Sequence, residues 1–248
     1  MTRRIAVVAG GLFILATASS LVAATFVPAL TGADYLAGVS LQANGMGVAA
    51  LLYVAAAFGS VGIAISLYPV LRRFGTGIAL GSVVFRSLEA AFYMVSVVCL
   101  LSLPQVGRQF ATAAGGDRAM LLAVGDTLVG IRDHASLVAV LAFCLGAFLY
   151  YTLFFRARLI PRWLSGWGLA AIVLMFVACV LALFSNRPIT GYVLLALPIA
   201  VQEMVLAIWL IVVGFGPSAT MLHPDHASGG VRASPAGGTS GARASSAR

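Results

Sequence analysis

The sequence predicts an all-α fold, a bundle of six membrane-spanning helices, on three observations. Hydrophobic residues fill 61% of the 248 positions and charged residues only 9%, against roughly a quarter in soluble domains. Apolar runs of about 17–25 residues, the length that crosses a bilayer, recur along the chain. Open strands in lipid would leave backbone N–H and C=O groups unpaired, so runs of this kind are helices.

The first span covers 5–27, behind a basic start at Arg3 and Arg4. That start, the apolar centre and the small residues that follow also fit a cleavable signal, whose loss would leave five spans. The run is longer than a signal core, so six spans are expected. The second span, 46–71, ends at the Arg72–Gly75 turn, and its pairs Ala55/Gly59 and Gly62/Ser66 are small-residue packing seams. The third, 77–103, is expected to stop at Pro104. An external connection over 105–133 follows, and its segment LLAVGDTLVGIRDH either extends the next helix or lies flat on the surface. The fourth span is 134–155. Pro161 precedes the fifth, 163–184, and Asn186–Arg187–Pro188 precedes the sixth, 191–215. Residues 1–216 therefore form the transmembrane domain. Residues 217–248 are rich in Gly, Ser, Ala and Arg and are expected to be a disordered tail. Within that tail, His223, Asp225 and His226 are read as solvated residues rather than a metal site.

The net charge of +8 does not imply nucleic acid. The arginines are scattered between apolar runs, whereas a nucleic-acid footprint needs a patch or stripe. Attraction to an anionic leaflet accounts for the sign. Arg3, Arg4, Arg72, Arg73, Arg156, Arg158, Arg162, Arg232, Arg243 and Arg248 fall on one side of the bundle, and Arg108, Arg118, Arg132 and Arg187 on the other. The positive-inside rule then places both termini in the cytoplasm. Trp163, Trp167, Tyr68, Tyr150 and Tyr151 sit near the inner boundary, where interface anchors are expected. Cys99, Cys144 and Cys179 each lie within an apolar run and are read as small buried hydrophobes.

The third span carries the sequence's chief anomaly, FRSLEA, with Arg86 and Glu89 near mid-membrane. Alternating steps of four and three connect Gly75, Ala79, Ser82, Arg86, Glu89, Tyr93 and Ser96 on one helix face, all small, polar or ionisable. Such a stripe turns toward other helices. Arg86 lies about 15 Å along its span from the inner end, and Glu203, in the antiparallel sixth span, about 16 Å from its own. One base and two acids thus share a level, and an Arg86–Glu203 or Arg86–Glu89 pair is expected. The third group would bond to Gln202, Tyr93 or water. Each such charge costs roughly 2.5–3.5 kcal/mol at the helix centre on insertion scales, which favours either a polar-ligand site or a packing lock.

Other chemistry is thin. His134, beside Asp133, lies about 31 Å from the inner end of its span, near the outer surface. These two are secondary candidates only. No pair of axial histidines for haem, no zinc-ligand set and no nucleophile elbow is present. No cofactor, metal or catalytic residue is assigned, and an enzyme would have to work with carboxylates and arginine alone. Pro198, five residues before Glu203, frees the carbonyl of Leu194 within the sixth span.

The stretches SLYPVLRRFGTGIALGSVVFRSLEA, RARLIPRWLSGWGL and LLALPIAVQEMVLAIWLIVVGF resemble a bacterial family of multispan membrane proteins, the domain of unknown function numbered 4386. The resemblance runs from about residue 5 to 215. The positions carrying it are Arg86 and Glu89; Arg158, Pro161 and Trp163 in RLIPRWL; and Gln202 and Glu203 in QEM. It implies a multi-pass architecture in a bacterial inner membrane and no particular activity. Taken together, the sequence describes a chain partnered by the lipid bilayer, with a buried polar site for a small polar or amphipathic ligand or a proton. The alternative is a structural or partner-stabilising subunit whose buried charges only set helix packing. The sequence assigns no protein partner or oligomeric state.

Overall fold

A computed structural model describes residues 2–32, 34–185 and 188–216. Seven α-helices account for nearly all of them: α1 Thr2–Thr25, α2 Tyr35–Leu41, α3 Ala43–Leu71, α4 Thr76–Thr112, α5 Gly116–Ala157, α6 Arg162–Ser185 and α7 Val193–Val212. A 3-10 turn, Ile189–Tyr192, leads into α7. There is no strand among the described residues. The tail with His223, Asp225 and His226 lies outside them.

All the long helices except α7 are apolar enough to span a bilayer by themselves, and α7 does so together with its 3-10 turn. Phe58, Leu51 and Val98 point outward and are more than 60% exposed. This is the inverse of a water-soluble surface, and the chain is a multi-pass membrane protein. Neighbours in the bundle run antiparallel in the order α1–α3–α4–α5–α6–α7, and α7 closes back on α1. The result is an up-and-down ring whose centre collects the inward faces of all six helices.

One end of the ring holds the start of α1, the α3–α4 turn, the α5–α6 turn and the end of α7, and with them Arg3, Arg4, Arg72, Arg73, Arg156, Arg158 and Arg162. At this basic end Arg3 donates to the carbonyls of Leu210, Ile211 and Val212 at 2.6–3.2 Å. The last turn of α7 leaves its carbonyls without intrahelical donors, and a cation there is favoured by the helix dipole as well. The packing seam on α3 faces α1: a Cβ added at Gly59 would sit 3.2 Å from that of Ala16, and one at Gly62 would sit 3.1 Å from Leu12.

Four features differ from the sequence reading. Pro104 does not end its helix, because α4 continues to Thr112. The external connection expected over 105–133 shrinks to Ala113, Ala114 and Gly115 between two helical arms, and the segment LLAVGDTLVGIRDH takes the first of its two expected forms, an extension of the next helix. At about 55 Å and 63 Å, α4 and α5 outrun a hydrocarbon core of about 30 Å at the end opposite the α3–α4 and α5–α6 turns. The extension is stable because α2, which the sequence reading did not foresee, packs against it. Leu36, Val39, Met46, Leu100, Leu103 and Phe110 form a second apolar core there, and Arg118 reaches Asp34 at 3.0 Å. Tertiary burial thus outweighs the backbone bond lost at Pro104. Finally, Tyr150 and Tyr151 are fully buried in the main core with Phe13 and Phe154. They are core aromatics and not interface anchors. Trp163 is 57% exposed and stacks on Trp167.

Candidate functional site

The small and polar stripe of α4 faces the ring interior: Ala79, Ser82, Arg86, Glu89 and Ser96 are all buried. Helix periodicity alone places them together, and the ring buries them because the other faces of α4 carry Leu80, Val84, Leu88, Phe92, Val95 and Val98, which are exposed.

Arg86 Nη1 lies 3.2 Å from Glu89 Oε2, an ion pair one helical turn long. The same carboxylate oxygen accepts a 2.8 Å hydrogen bond from Ser60 of α3. The Arg86 guanidinium also lies over the Phe143 ring of α5 at 4.8 Å, a favourable contact for a cation taken out of water. Gly146 makes that route possible. A Cβ there would come within 3.2 Å of Arg86 Cγ and Cδ, so glycine leaves the channel across α5 that the arginine stem occupies.

Glu203 approaches from α7. Its Oε2 accepts a hydrogen bond from Thr17 of α1 at 3.3 Å, while Oε1 is buried and has no hydrogen-bond partner among the described residues. Arg86 Nε and Nη1 are likewise buried without a hydrogen bond, Nη1 being paired to Glu89 only at ion-pair geometry. Arg86 and Glu203 belong to the lining of a cavity of about 220 Å³, together with Thr17, Ser60, Tyr93 and Glu89 among others. Six helices, α1 and α3–α7, contribute to its wall. Unpartnered polar atoms in a dry interior are costly, and a cavity this size has room for a molecule to meet them.

The sequence candidates divide accordingly. Arg86, Glu89, Glu203 and Tyr93 line one chamber. Gln202 does not join them: it points to the other side of α7, accepts a hydrogen bond from the Tyr151 hydroxyl, and donates to the Leu164 carbonyl at 3.1 Å. Successive residues on a helix point about 100° apart, which is why Gln202 and Glu203 serve different walls. Tyr93 makes no hydrogen bond to Glu203. Asp133 pairs with Arg132 at 2.9 Å in a second, smaller cavity of about 140 Å³ toward the end where α2 packs. His134 is exposed there and bonds the Gly130 carbonyl at 2.7 Å. Three partners escaped the sequence reading: Thr17, Ser60 and Phe143. The first two are single hydroxyls in apolar helices, a signal no stronger than that of a dozen other serines and threonines.

Arg158, Pro161 and Trp163 lie at the basic end, remote from the chamber. Arg158 caps α5 in the left-handed conformation, φ 51° and ψ 39°, and this turns Leu159 and Ile160 into the core, where both are buried. The Pro161 carbonyl receives the N–H groups of Leu164 and Ser165, opening α6. The motif is a folded corner that plugs the base of the ring.

No curated protein and no solved structure matches this chain. One family does: the domain of unknown function DUF4386 matches residues 8–214, all six spanning segments.

Proposed function

We propose that this chain, which belongs to the DUF4386 family, is a bacterial inner-membrane protein that uses its central chamber to bind a small polar or amphipathic molecule or a proton, in transport or sensing. Both termini would face the cytoplasm, on the strength of the arginine distribution. Residues 217–248 would trail from a single transmembrane domain, 1–216. One observation carries the binding reading: Glu203 Oε1 and Arg86 Nε are buried without partners on residues lining a cavity that could hold a ligand. Intramembrane ionisable groups are rare and mark ligand or ion sites. Arg86 would meet an anionic or acceptor group, and Glu89 and Glu203 would accept a proton or a cation.

The decisive experiment is native mass spectrometry of the gently purified protein and of the double variant Glu203→Gln, Ala200→Phe, which fills the chamber and leaves the Arg86–Glu89 pair intact. Wild type is expected to retain a small molecule that the folded double variant lacks. Equal spectra from two folded proteins would refute the reading.

A structural role has its own support. Ser60–Glu89 joins α3 to α4, and Thr17–Glu203 joins α1 to α7. Two such interhelical bonds could fix helix register, an attested use of buried polar groups. That reading leaves Glu203 Oε1 unexplained, and for this reason the binding reading is preferred.

A further inference from the structure

The chamber's chemistry narrows its ligand, provided the binding reading holds. Arg86, Glu89 and Glu203 are its ionisable lining, tyrosines aside. With all three charged, one positive and two negative groups leave a net single negative charge in a dry interior. Arg86 already has its counter-ion in Glu89 and its ring contact in Phe143. Glu203 accepts one hydrogen bond, from the Thr17 hydroxyl; the Tyr150 hydroxyl and the Arg86 guanidinium also face it, but Oε1 makes no hydrogen bond among the described residues. The unbalanced charge therefore sits on α7. An anionic ligand would double the imbalance, and a cation would cancel it.

The wall supports the same sign. The Tyr53 and Tyr93 rings border both the central chamber and the smaller outer one, and tyrosine faces attract ammonium groups. A bare metal ion would find too few ligands: among the described residues no three His, Cys, Asp or Glu side chains are grouped to hold one. The cavity of about 220 Å³ exceeds the roughly 150 Å³ that admits benzene in an engineered protein, so an organic molecule of several heavy atoms fits.

We infer that the chamber takes a small organic ammonium, whose N–H groups donate to Glu203 Oε1 while an oxygen acceptor on the same molecule meets Arg86 Nε. Ethanolamine carries both features and serves as the probe. Its tests are glycolate, the anion of matched size, and ethylene glycol, the uncharged diol.

Full-length protein in detergent is titrated with each compound at constant pH and ionic strength, read by calorimetry and by the midpoint of thermal unfolding. Ethanolamine is expected to bind saturably and raise the midpoint, and the other two are not. Glu203→Gln should weaken ethanolamine about tenfold to hundredfold, the worth of a charge-assisted hydrogen bond. Ala200→Phe, which fills the cavity and leaves every charge in place, should abolish binding and covers the case in which Glu203→Gln does not fold. Binding of ethanolamine undiminished in folded Glu203→Gln or Ala200→Phe would overturn the assignment. Binding of glycolate in place of ethanolamine would overturn the ammonium class and leave the binding reading standing. Silence from all three probes would overturn the ammonium assignment. The same silence, with native spectra of wild type and the double variant alike, would remove the binding reading too.

Discussion

Arg86 and Glu89 stand three residues apart on one helix, so periodicity put them on one face; the sequence left the partner of Arg86 open between Glu89 and Glu203, and the geometry pairs it with Glu89. Glu203 was legible by depth and not by partner: its bond to Thr17 joins residues 186 positions apart, and no local pattern encodes it. The pairing decides which substitutions are tolerated. Arg86→Met leaves Glu89 buried beside Ser60 alone and should cost about 3–5 kcal/mol, the penalty for stranding one half of a buried pair. Arg86→Met with Glu89→Leu removes both charges and should fall close to wild type. Melting of the two purified variants in the same detergent distinguishes them, and equal destabilisation would show that the ion pair is not the unit. Gly146 belongs to this scale as well. Its role, making room for another helix's arginine stem, is visible only once α4 and α5 are docked.

Helix existence was legible where hydropathy was high, and helix ends were not. Pro104 is a breaker in isolation, yet α4 runs past it because α2 covers the far segment. The seven-residue α2 is too short to carry a periodic signal and owes its form to packing. Gly107 is the contact point: a Cβ there would lie 2.4 Å from the Leu36 carbonyl oxygen, a backbone atom that cannot swing aside. Gly107→Ala should therefore push α2 off α4 and cost about 1–3 kcal/mol, seen as a lower melting midpoint and faster amide exchange confined to residues 35–41. A second element ends on the unusual Arg158. Because a residue with a Cβ is strained at φ 51°, Arg158→Gly should raise stability by about 0.5–1 kcal/mol. A decrease would mean that the arginine side chain itself holds the corner.

At the scale of the whole molecule, the closed ring follows from six spans joined by short turns, and the protruding hairpin does not. The sequence reading took 105–133 as an external connection. It left 121–134 open between an extension of the next helix and a surface segment, because alanine- and leucine-bearing segments with scattered charge serve equally well as surface loop or helix; the helix extension is what forms. Orientation is open to direct measurement. Cysteines introduced at the exposed positions Asp117 and Gly77, against a background of buried native thiols, should react differently with an impermeant maleimide added to intact cells. Position 117 should label and position 77 should not. The reverse pattern would invert the molecule in its membrane.

The tier of aromatic rings beneath the chamber has a consequence of its own. Tyr150, Tyr151, Phe154 and Phe13 are entirely buried, and two of them pack with ring centres 4.6 Å apart. In this conformation those rings fill the bundle interior on the side of the arginine-rich end. Passage to the arginine-rich side would require that floor to part, so a conduit role implies a second shape of the ring, whereas a receptor needs none.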